Sequence, residues 1–373
     1  MSTIAISANT SWYLYNFRKN TIIALIDKGY HVVAVAPKDE YTIKLLDLGC
    51  DFSHVNIDKG GTNPINDIVS IIDFYRVYKN KKIDVVLNFT PKNNIYSTLV
   101  AKFLGMKVIN NIAGLGVLFI NENITSKIVK SLYRVSQRKA DVVFFQNEDD
   151  RKIFLEYKLV DLKNTDRLPG SGADLSRFNY MPSLDDGVVR FLLIARMLFD
   201  KGILHFVDAA RILRNKYGNG VEFNLVGFLD VENPSAVSKQ EMQSWVDEGI
   251  VNYHGVSDEV EVHIALADCM VLPSFYREGV PKSLLEAAAM GKPIVTTDNV
   301  GCRETVDDGV NGYLCDVRST SSLVKNLDKI ICLSHEKRLA MGRASRSKVE
   351  REFDEKVVID KYLSAINKLT RES

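Results

Sequence analysis

The feature that most constrains the fold is a repeated alternation of short apolar runs with longer segments of helical periodicity. In the first half, apolar runs at residues 4–7, 31–35 and 141–145 are separated by such segments. After a break the alternation begins again, with runs at residues 189–194 and 269–272. Continuous apolar strands between helices are typical of parallel sheets that are covered on both faces. We therefore predict an α/β protein with two doubly wound parallel sheets.

The break between the two halves is punctuated by proline, glycine and an acidic pair. It predicts a first domain over residues 1–167, a linker over 168–186 and a second domain over 187–353. A length of 373 residues agrees with two domains, at roughly 150 residues per domain. Residues 354–373 are predicted to form a helix that packs back across the domains, because Val358, Tyr362, Ile366 and Leu369 recur at helical spacing.

Composition narrows the class of protein. The net charge of +1 does not indicate a nucleic-acid partner. No apolar run approaches the ~20 residues that a membrane helix needs, and the first residues lack the pattern of a signal peptide. The five cysteines are odd in number and form no C-x-x-C pair, so we expect small core residues in a reduced, cytoplasmic protein.

Two glutamates eight positions apart flank a predicted helix start. In EGVPKSLLEA, Pro281 suits the first turn of a helix, which places Glu278 on the preceding loop and Glu286 inside the helix. The amides of that first turn suit an anionic oxygen, and the two carboxylates could hold sugar or ribose hydroxyls beside it. The spacing also fits a capped surface helix that carries two solvated glutamates.

A second signal is the tract IARMLFDKG after a predicted strand. Arg196 follows the strand directly, and Lys201 precedes a glycine and a helical segment. A guanidinium fork and a nearby ammonium together neutralise a diphosphate well. Basic residues in such a loop are also often simply solvated.

Taken in order, these segments resemble a known family. The order R-x4-KG, then ADC-x-VLPS-x3-EG-x-P-x-SLLEA, then GKPIVTTDNVGCRETVDDGVNG is similar to the donor domain of the retaining family 4 glycosyltransferases. The tract LPGSGAD at residues 168–174, followed by Phe178, resembles the interdomain segment of that family. The resemblance implies the GT-B fold, in which two Rossmann-like domains face each other across a cleft.

The resemblance also implies roles for the residues. Arg196 and Lys201 would bind the donor diphosphate, Glu278 would hold the transferred sugar, and these three are the expected catalytic residues. Glu286 would hold the ribose and Val256 would face the nucleobase. The other expected donor-binding residues are Gly227, Gly279, Val280, Pro281, Lys282 and Ser283.

In the family the anomeric configuration is retained, usually by a same-face displacement in which the leaving phosphate takes the acceptor proton. That reaction needs charge stabilisation and positioning more than it needs an acid or a base. The chain contains no D-x-D sequence, the usual divalent-metal clamp on a nucleotide sugar. We therefore expect no metal and no cofactor, with the sugar nucleotide as a substrate.

The acceptor side departs from the family pattern. Many members carry a histidine in the first domain that faces the donor sugar, but the tract NNIAGLG at residues 110–116 contains none. Asn111, Gly114 and Gly116 are the candidates there, although the Gly-Leu-Gly turn also fits simple packing. Arg18 and Lys92 are candidates for an acceptor diphosphate, or are solvated residues.

The predicted helix over residues 126–139 carries a basic stripe. Lys127, Lys130, Arg134 and Arg138 fall within an arc of about 80°, and Ile128, Leu132 and Val135 fall on the other side. Such a stripe could lie on the anionic cytoplasmic leaflet, at up to ~1 kcal/mol per charge, or could be a solvated face.

A closer resemblance concerns the substrates. The tract IAR, the tract GFLDVENPS at residues 227–235 and the Gly-Leu-Gly turn are similar to a bacterial subgroup. Its members add N-acetylgalactosamine or a related sugar to undecaprenyl-diphosphate-linked saccharides. This implies a UDP-sugar donor, a polyprenyl-diphosphate-linked acceptor and a peripheral position on the inner face of the cytoplasmic membrane. A glycoside hydrolase that uses the two glutamates, a UDP-sugar 2-epimerase on the same fold and a non-catalytic partner of a glycosyltransferase complex are the alternatives.

Overall fold

The structure is a computed structural model that describes residues 2–58, 63–115, 124–229, 231 and 233–371. The chain divides into two compact units. Unit 1 comprises residues 1–171 and 356–373, and unit 2 comprises residues 172–355. Residues 168–186, predicted as a linker, are shared between them, because the division falls after residue 171.

Unit 1 is built on a parallel sheet of seven strands in the order β3-β2-β1-β4-β5-β6-β7. Three of these strands match the apolar runs given above: β1 (Thr3–Ser7), β2 (His31–Ala36) and β6 (Val142–Phe145). Two more lie between β1 and β6 in the sheet: β4 (Val85–Asn88), which is fully buried, and β5 (Lys107–Ile112), which is buried apart from Lys107. The strands β3 (Asp51–His54) and β7 (Thr165–Arg167) form the two edges. Both are short and polar, so their sequences give no apolar run.

Helices cover both faces of this sheet. One face carries α1 (Ser11–Asp27), α2 (Tyr41–Leu46) and the C-terminal α13 (Glu355–Arg371), whose buried residues share one core. The other face carries α3 (Pro64–Lys81), a π-helical turn (Asn93–Ser97), α4 (Thr98–Phe103), α5 (Ile124–Gln137) and α6 (Glu148–Glu156). In the C-terminal helix, Val358, Tyr362, Ile366 and Leu369 are buried, and they pack within unit 1.

Unit 2 is built on a second parallel sheet, of six strands in the order β10-β9-β8-β11-β12-β13. The strands are β8 (Val189–Ile194), β9 (Val221–Val226), β10 (Asn252–Tyr253), β11 (Cys269–Leu272), β12 (Ile294–Thr297) and β13 (Gly312–Cys315). The helices are α7 (Ile203–Tyr217), α8 (Lys239–Asp247), α9 (Val260–Leu266), α10 (Lys282–Ala289), α11 (Thr320–Cys332) and α12 (His335–Glu352). Two parallel α/β halves are therefore confirmed.

The cysteines need one correction. Cys50, Cys269, Cys302 and Cys315 are buried, as expected, but Cys332 is exposed at the end of α11, where its Sγ lies 3.6 Å from the Tyr217 hydroxyl.

Across the part of the chain that the structure describes, no helix is both long enough and apolar enough to cross a bilayer.

Candidate functional site

The residues expected to bind the donor follow four neighbouring strands of unit 2. Arg196 follows β8, Gly227 follows β9, Val256 follows β10 and Glu278 follows β11. These strands are parallel neighbours, so their following loops meet at one edge of the sheet. The carboxyl edge of an open parallel sheet is where α/β proteins usually bind ligands.

An ion pair between Lys201 and Glu278 lies at the centre of this edge. The Lys201 ammonium contacts Oε1 of Glu278, and each side chain is only 12% exposed. The Ser274 hydroxyl lies 3.0 Å from the same carboxylate oxygen, and the Lys201 ammonium lies 5.0 Å from the centre of the Tyr276 ring. Glu278 is therefore a held carboxylate and not the solvated glutamate of the alternative interpretation.

Backbone contacts fix the two loops that carry this pair. The Asp200 carbonyl accepts hydrogen bonds from the amides of Phe275 and Tyr276, at 3.0 and 3.1 Å. Gly202 has φ +79°, and a Cβ there would lie 2.1 Å from the Pro273 carbonyl oxygen. Only glycine allows so close an approach, so it lets the lysine loop pack directly on the loop that carries Glu278.

A third loop, which follows β12, contacts the segment that carries Glu278. A Cβ at Gly301 would lie 1.4 Å from the carbonyl oxygen of Gly279, so the two backbones are in direct contact. The Asn299 amide donates a hydrogen bond to the Tyr276 carbonyl at 3.0 Å. These contacts hold the turn between β11 and α10 in one shape.

Helix α10 begins next to this turn. It begins at Lys282, so Pro281 lies immediately before the helix and not inside its first turn as expected. The first-turn amides of a helix have no acceptor within the helix, and they favour an anion at that end. Val280, Lys282 and Ser283 thus lie at the helix end that suits a phosphate, as the sequence predicts.

Glu286 lies inside α10 and is 8% exposed. Burial raises the pKa of its carboxyl group to about 6, and the ammonium of Lys282, 3.8 Å away, opposes that shift. Arg177 is a second cation whose charge lowers this pKa, and a buried carboxylate in such surroundings retains hydrogen-bonding capacity for a ligand hydroxyl. This arrangement does not fit a solvated glutamate.

Arg196 is exposed at the carboxyl end of β8. Its guanidinium forms no hydrogen bond or ion pair with any residue that the structure describes. Since no described carboxylate pairs with Arg196, its guanidinium provides positive charge for an anionic ligand.

Gly227 and Val256 lie on adjacent loops. The Gly227 amide donates a hydrogen bond to the Gly255 carbonyl at 2.8 Å, and Val256 is half-exposed. A Cβ at Gly227 would lie 1.8 Å from the Ala195 carbonyl oxygen, so this glycine brings the loop against the strand that leads to Arg196.

The acceptor candidates of unit 1 have different surroundings, and Arg18 is buried. It is 1% exposed, its guanidinium carbon lies 4.2 Å from the centre of the Phe89 ring, and its Nη2 is 3.3 Å from the hydroxyls of Tyr13 and Ser171. A guanidinium enclosed by these groups is part of the interior of unit 1. The solvated alternative is therefore wrong for Arg18, and its contact with an acceptor diphosphate stays a prediction.

Of the remaining acceptor candidates, only Lys92 has a local ion-pair partner among the described residues. The Lys92 ammonium forms an ion pair with Asp67 at 2.7 Å. Asn111 is 1% exposed, and neither polar atom of its side chain has a hydrogen-bond partner among the described residues. Gly114 is half-buried with φ +111°, whereas Gly116 lies outside the described residues.

The basic stripe of α5 is at the surface, and so are two of the apolar residues on its other side. Lys127, Arg134 and Arg138 are exposed and Lys130 is half-buried. Ile128 and Val135 are also exposed, at 56 and 48%, because α5 buries Tyr133, Ser136 and Gln137 instead. The helix therefore presents cations and apolar side chains together.

Four further residues that shape this edge of the sheet are not among the residues predicted from the sequence: Ser274, Tyr276, Asn299 and Gly301. All four lie in or beside the quoted motifs. Only the glycine carried a usable signal, because hydroxyl and amide contacts depend on how the loops fold.

The sequence of each half matches a pattern shared by known proteins. Residues 189–332 match the glycosyl transferases of group 1, and residues 3–147 match the glycosyl transferase 4-like family. The two matches together cover more than half of the chain. The chain belongs to the group 1, family 4-like glycosyltransferases. This glycosyltransferase is therefore an enzyme, as its motifs predict.

Curated relatives agree with this assignment. The chain is 29% identical, over 96% of both chains, to N,N'-diacetylbacillosaminyl-diphospho-undecaprenol alpha-1,3-N-acetylgalactosaminyltransferase of Campylobacter jejuni. It is 24% identical, over 71% of both chains, to UDP-Gal:alpha-D-GlcNAc-diphosphoundecaprenol alpha-1,3-galactosyltransferase of Escherichia coli.

Solved structures show that the glycosyltransferase has the predicted GT-B fold. A glycosyltransferase from Rickettsia africae superposes with a TM-score of 0.78 at 17% identity, over 100% of this chain and 99% of that one. Anabaena HepE in complex with UDP-glucose also gives a TM-score of 0.78, at 15% identity over 100% of both chains.

Proposed function

We propose that this glycosyltransferase moves an N-acetylhexosamine, such as N-acetylgalactosamine, from a UDP-sugar to a polyprenyl-diphosphate-linked saccharide during bacterial surface-glycan assembly. The observation that carries the proposal is the Lys201–Glu278 ion pair beside Arg196 and the start of α10. The choice of sugar and acceptor rests on the full-length similarity to the Campylobacter enzyme, whose name gives both.

The donor would bind to unit 2 with its diphosphate near Arg196, Lys201 and the first turn of α10. Glu278 would accept hydrogen bonds from hydroxyls of the transferred sugar, and Glu286 from those of the ribose. A diphosphate competes with Glu278 for the Lys201 ammonium, so donor binding would release the carboxylate toward the sugar. Gly227 and Val256 would lie on the side of the base.

In the proposed reaction the bond between the anomeric carbon and the phosphate oxygen breaks. The acceptor oxygen attacks the anomeric carbon on the same face, so the configuration is retained, and its proton passes to the departing phosphate oxygen. Charge grows on the diphosphate as the bond breaks, and Arg196 and Lys201 would stabilise it most at that moment. We propose that these cations act without a divalent metal.

The membrane would hold the acceptor. We propose that the enzyme acts at the inner face of the cytoplasmic membrane, with Lys127, Lys130 and Arg134 of α5, and Arg138 directly after it, near anionic headgroups.

The decisive experiment is calorimetric titration with UDP and with GDP, both in EDTA. We expect UDP to bind, and we expect Glu286→Ala to abolish binding while the surface change Glu222→Gln leaves it intact. Failure of both nucleotides to bind would overturn the donor assignment. A requirement for Mg²⁺ would overturn metal independence alone.

Transfer is then measured from UDP-N-acetylgalactosamine to a detergent-solubilised polyprenyl-diphosphate saccharide. We expect a retained linkage in the product, and we expect Glu278→Gln to lower transfer more than it lowers UDP binding. Conversion of the UDP-sugar without an acceptor would instead establish an epimerase.

A further inference from the structure

Helix α3 presents an apolar stripe on the side that faces away from the core. Its buried residues, Ser70, Phe74 and Tyr78, pack against the sheet. At ~100° per residue, the opposite arc of about 120° is mostly apolar. That arc carries Ile65, Ile68, Val69, Ile72 and Tyr75, which are exposed by 68, 56, 39, 42 and 36%. The outer side of a helix in a water-exposed layer is normally polar, so an apolar one indicates a binding surface.

The stripe continues onto the next helix. Phe103, at the end of α4, is 81% exposed, and its ring centre lies 6.4 Å from that of Tyr75. Helices α3, α4 and α5 share one core on one face of the sheet, so their outer sides face the same way. Ile128 and Val135 extend the exposed apolar side chains to α5. We call these outer sides of α3, α4 and α5 the outer helix surface.

The charges on the outer helix surface are positive. Arg76 and Lys79 fall within the exposed arc of α3, and the Lys79 ammonium lies 5.6 Å from the centre of the Tyr75 ring. Lys127 and Arg134 are exposed on α5, whose sequence contains no carboxylate, and Arg138 is exposed directly after it. Apolar side chains mixed with cations match the boundary between anionic headgroups and acyl chains.

We propose that the outer helix surface docks on an anionic lipid bilayer, with Ile65, Ile68, Ile72 and Phe103 entering the acyl boundary. The proposal deepens the proposed function, on which it rests for a membrane-embedded acceptor. This docking differs from electrostatic attraction of α5 to the headgroups, because apolar insertion persists at high salt. The electrostatic attraction is screened by salt. A second copy of the chain fits less well, since it would bring two cationic surfaces together.

The test uses the full chain and vesicles of phosphatidylcholine with 30 mol% phosphatidylglycerol. We expect the wild type to sediment with them, partly even in 0.5 M NaCl. Ile68→Ser with Ile72→Ser should lower the partition coefficient at least tenfold and abolish the salt-resistant part. Lys127→Ser with Arg134→Ser should remove only the salt-sensitive part.

A matched control lies on the opposite face of the same sheet. Ile43 on α2 is also 68% exposed, and Leu46 is 49% exposed, so Ile43→Ser with Leu46→Ser should leave vesicle binding unchanged. Insertion is also measured directly, with a tryptophan at the exposed position. Brominated lipids should quench the added fluorescence of Ile72→Trp and not that of Ile43→Trp.

Three results would overturn the proposal. They are equal vesicle binding by wild type and the α3 double variant, absence of quenching for Ile72→Trp, and a lipid-free dimer that the α3 double variant converts to monomer. UDP binding and transfer to the detergent-solubilised acceptor should match wild type in the α3 variant. Their loss in the wild type itself would refute the proposed function and not the docking surface.

Discussion

At the scale of single residues, Lys201 is the side chain whose loss should cost most activity. It is the cation that contacts Glu278, and its charge would stabilise the departing diphosphate. We expect Lys201→Ala to lower kcat on the order of 10²–10³-fold, as removal of a transition-state donor does elsewhere. Steady-state transfer assays measure this, with Lys216→Ala, which removes an exposed ion pair to Asp328, as the control. Equal kcat for wild type and Lys201→Ala would contradict the assignment.

Ser274 should act through Glu278. Its hydroxyl is fully buried 3.0 Å from Oε1 of that carboxylate, so Ser274→Ala leaves the carboxylate less well positioned. A hydrogen bond to a charged group contributes about 1.5–3 kcal/mol, which corresponds to a loss of kcat/KM of at least roughly tenfold. UDP affinity should change little, because the sugar is absent from UDP. A parallel fall in UDP affinity would indicate a general disturbance of the loop.

Glu286 should make stability depend on pH. Its folded-state pKa of about 6 lies above the ordinary 4.5, so the folded protein binds more protons between these values. Stability therefore falls as pH rises through that window, by about 2 kcal/mol in total. We expect Glu286→Gln to unfold in urea with a smaller loss between pH 4.5 and 7, whereas Glu222→Gln keeps the wild-type dependence. An unchanged profile in Glu286→Gln would show that the carboxyl does not titrate in this window.

The same residues show which parts of the site can be predicted from the sequence. The E-x7-E spacing and the R-x4-K spacing select the four side chains expected to bind the donor, because a parallel strand fixes where its following loop begins. The Ser274 contact was out of reach, since it depends on how two loops fold against each other. The burial of Arg18 could not be predicted, because a basic residue on a helix gives no indication in sequence that an aromatic ring will enclose its guanidinium.

At the scale of elements, α13 should stabilise unit 1 through Tyr362. The ring packs edge-on against Phe89 and Phe144, with centre distances of 5.7 and 5.4 Å, and its buried hydroxyl has no hydrogen-bond partner among the described residues. We expect Tyr362→Ala to cost about 3–5 kcal/mol of unfolding free energy. Tyr362→Phe should be neutral or stabilising, because it removes an unsatisfied hydroxyl. Urea unfolding distinguishes the two, and a large loss in Tyr362→Phe would reveal a hydrogen bond through water.

The strands show why elements differ in predictability. Central strands such as β1 and β8 are largely buried, and their sequences are mostly apolar. The edge strands β3, β7 and β10 are two to four residues long and carry polar side chains, so neither length nor pattern distinguishes them from loops. They form because a neighbouring strand offers unpaired backbone groups, which is a property of the sheet.

At the scale of the whole molecule, the division into two units makes ligand binding a local event. The residues expected to bind the donor all lie in unit 2, whereas unit 1 is assembled from both ends of the chain around its own sheet. At 100 times its dissociation constant, UDP would stabilise the state that binds it by about 2.7 kcal/mol. Only opening motions that break the site would become less favourable by this amount.

Hydrogen exchange of the full chain, with and without saturating UDP, measures where that stabilisation appears. We expect slower exchange in residues 196–202, 227–228 and 274–286, and unchanged exchange in α3 and α13 of unit 1. Lys201→Ala should reduce the UDP-dependent slowing of exchange in residues 196–202, near the diphosphate, whereas Tyr362→Phe should leave it unchanged. Protection confined to unit 1 would place the nucleotide on the other sheet, and the motif that led to unit 2 would then be structural.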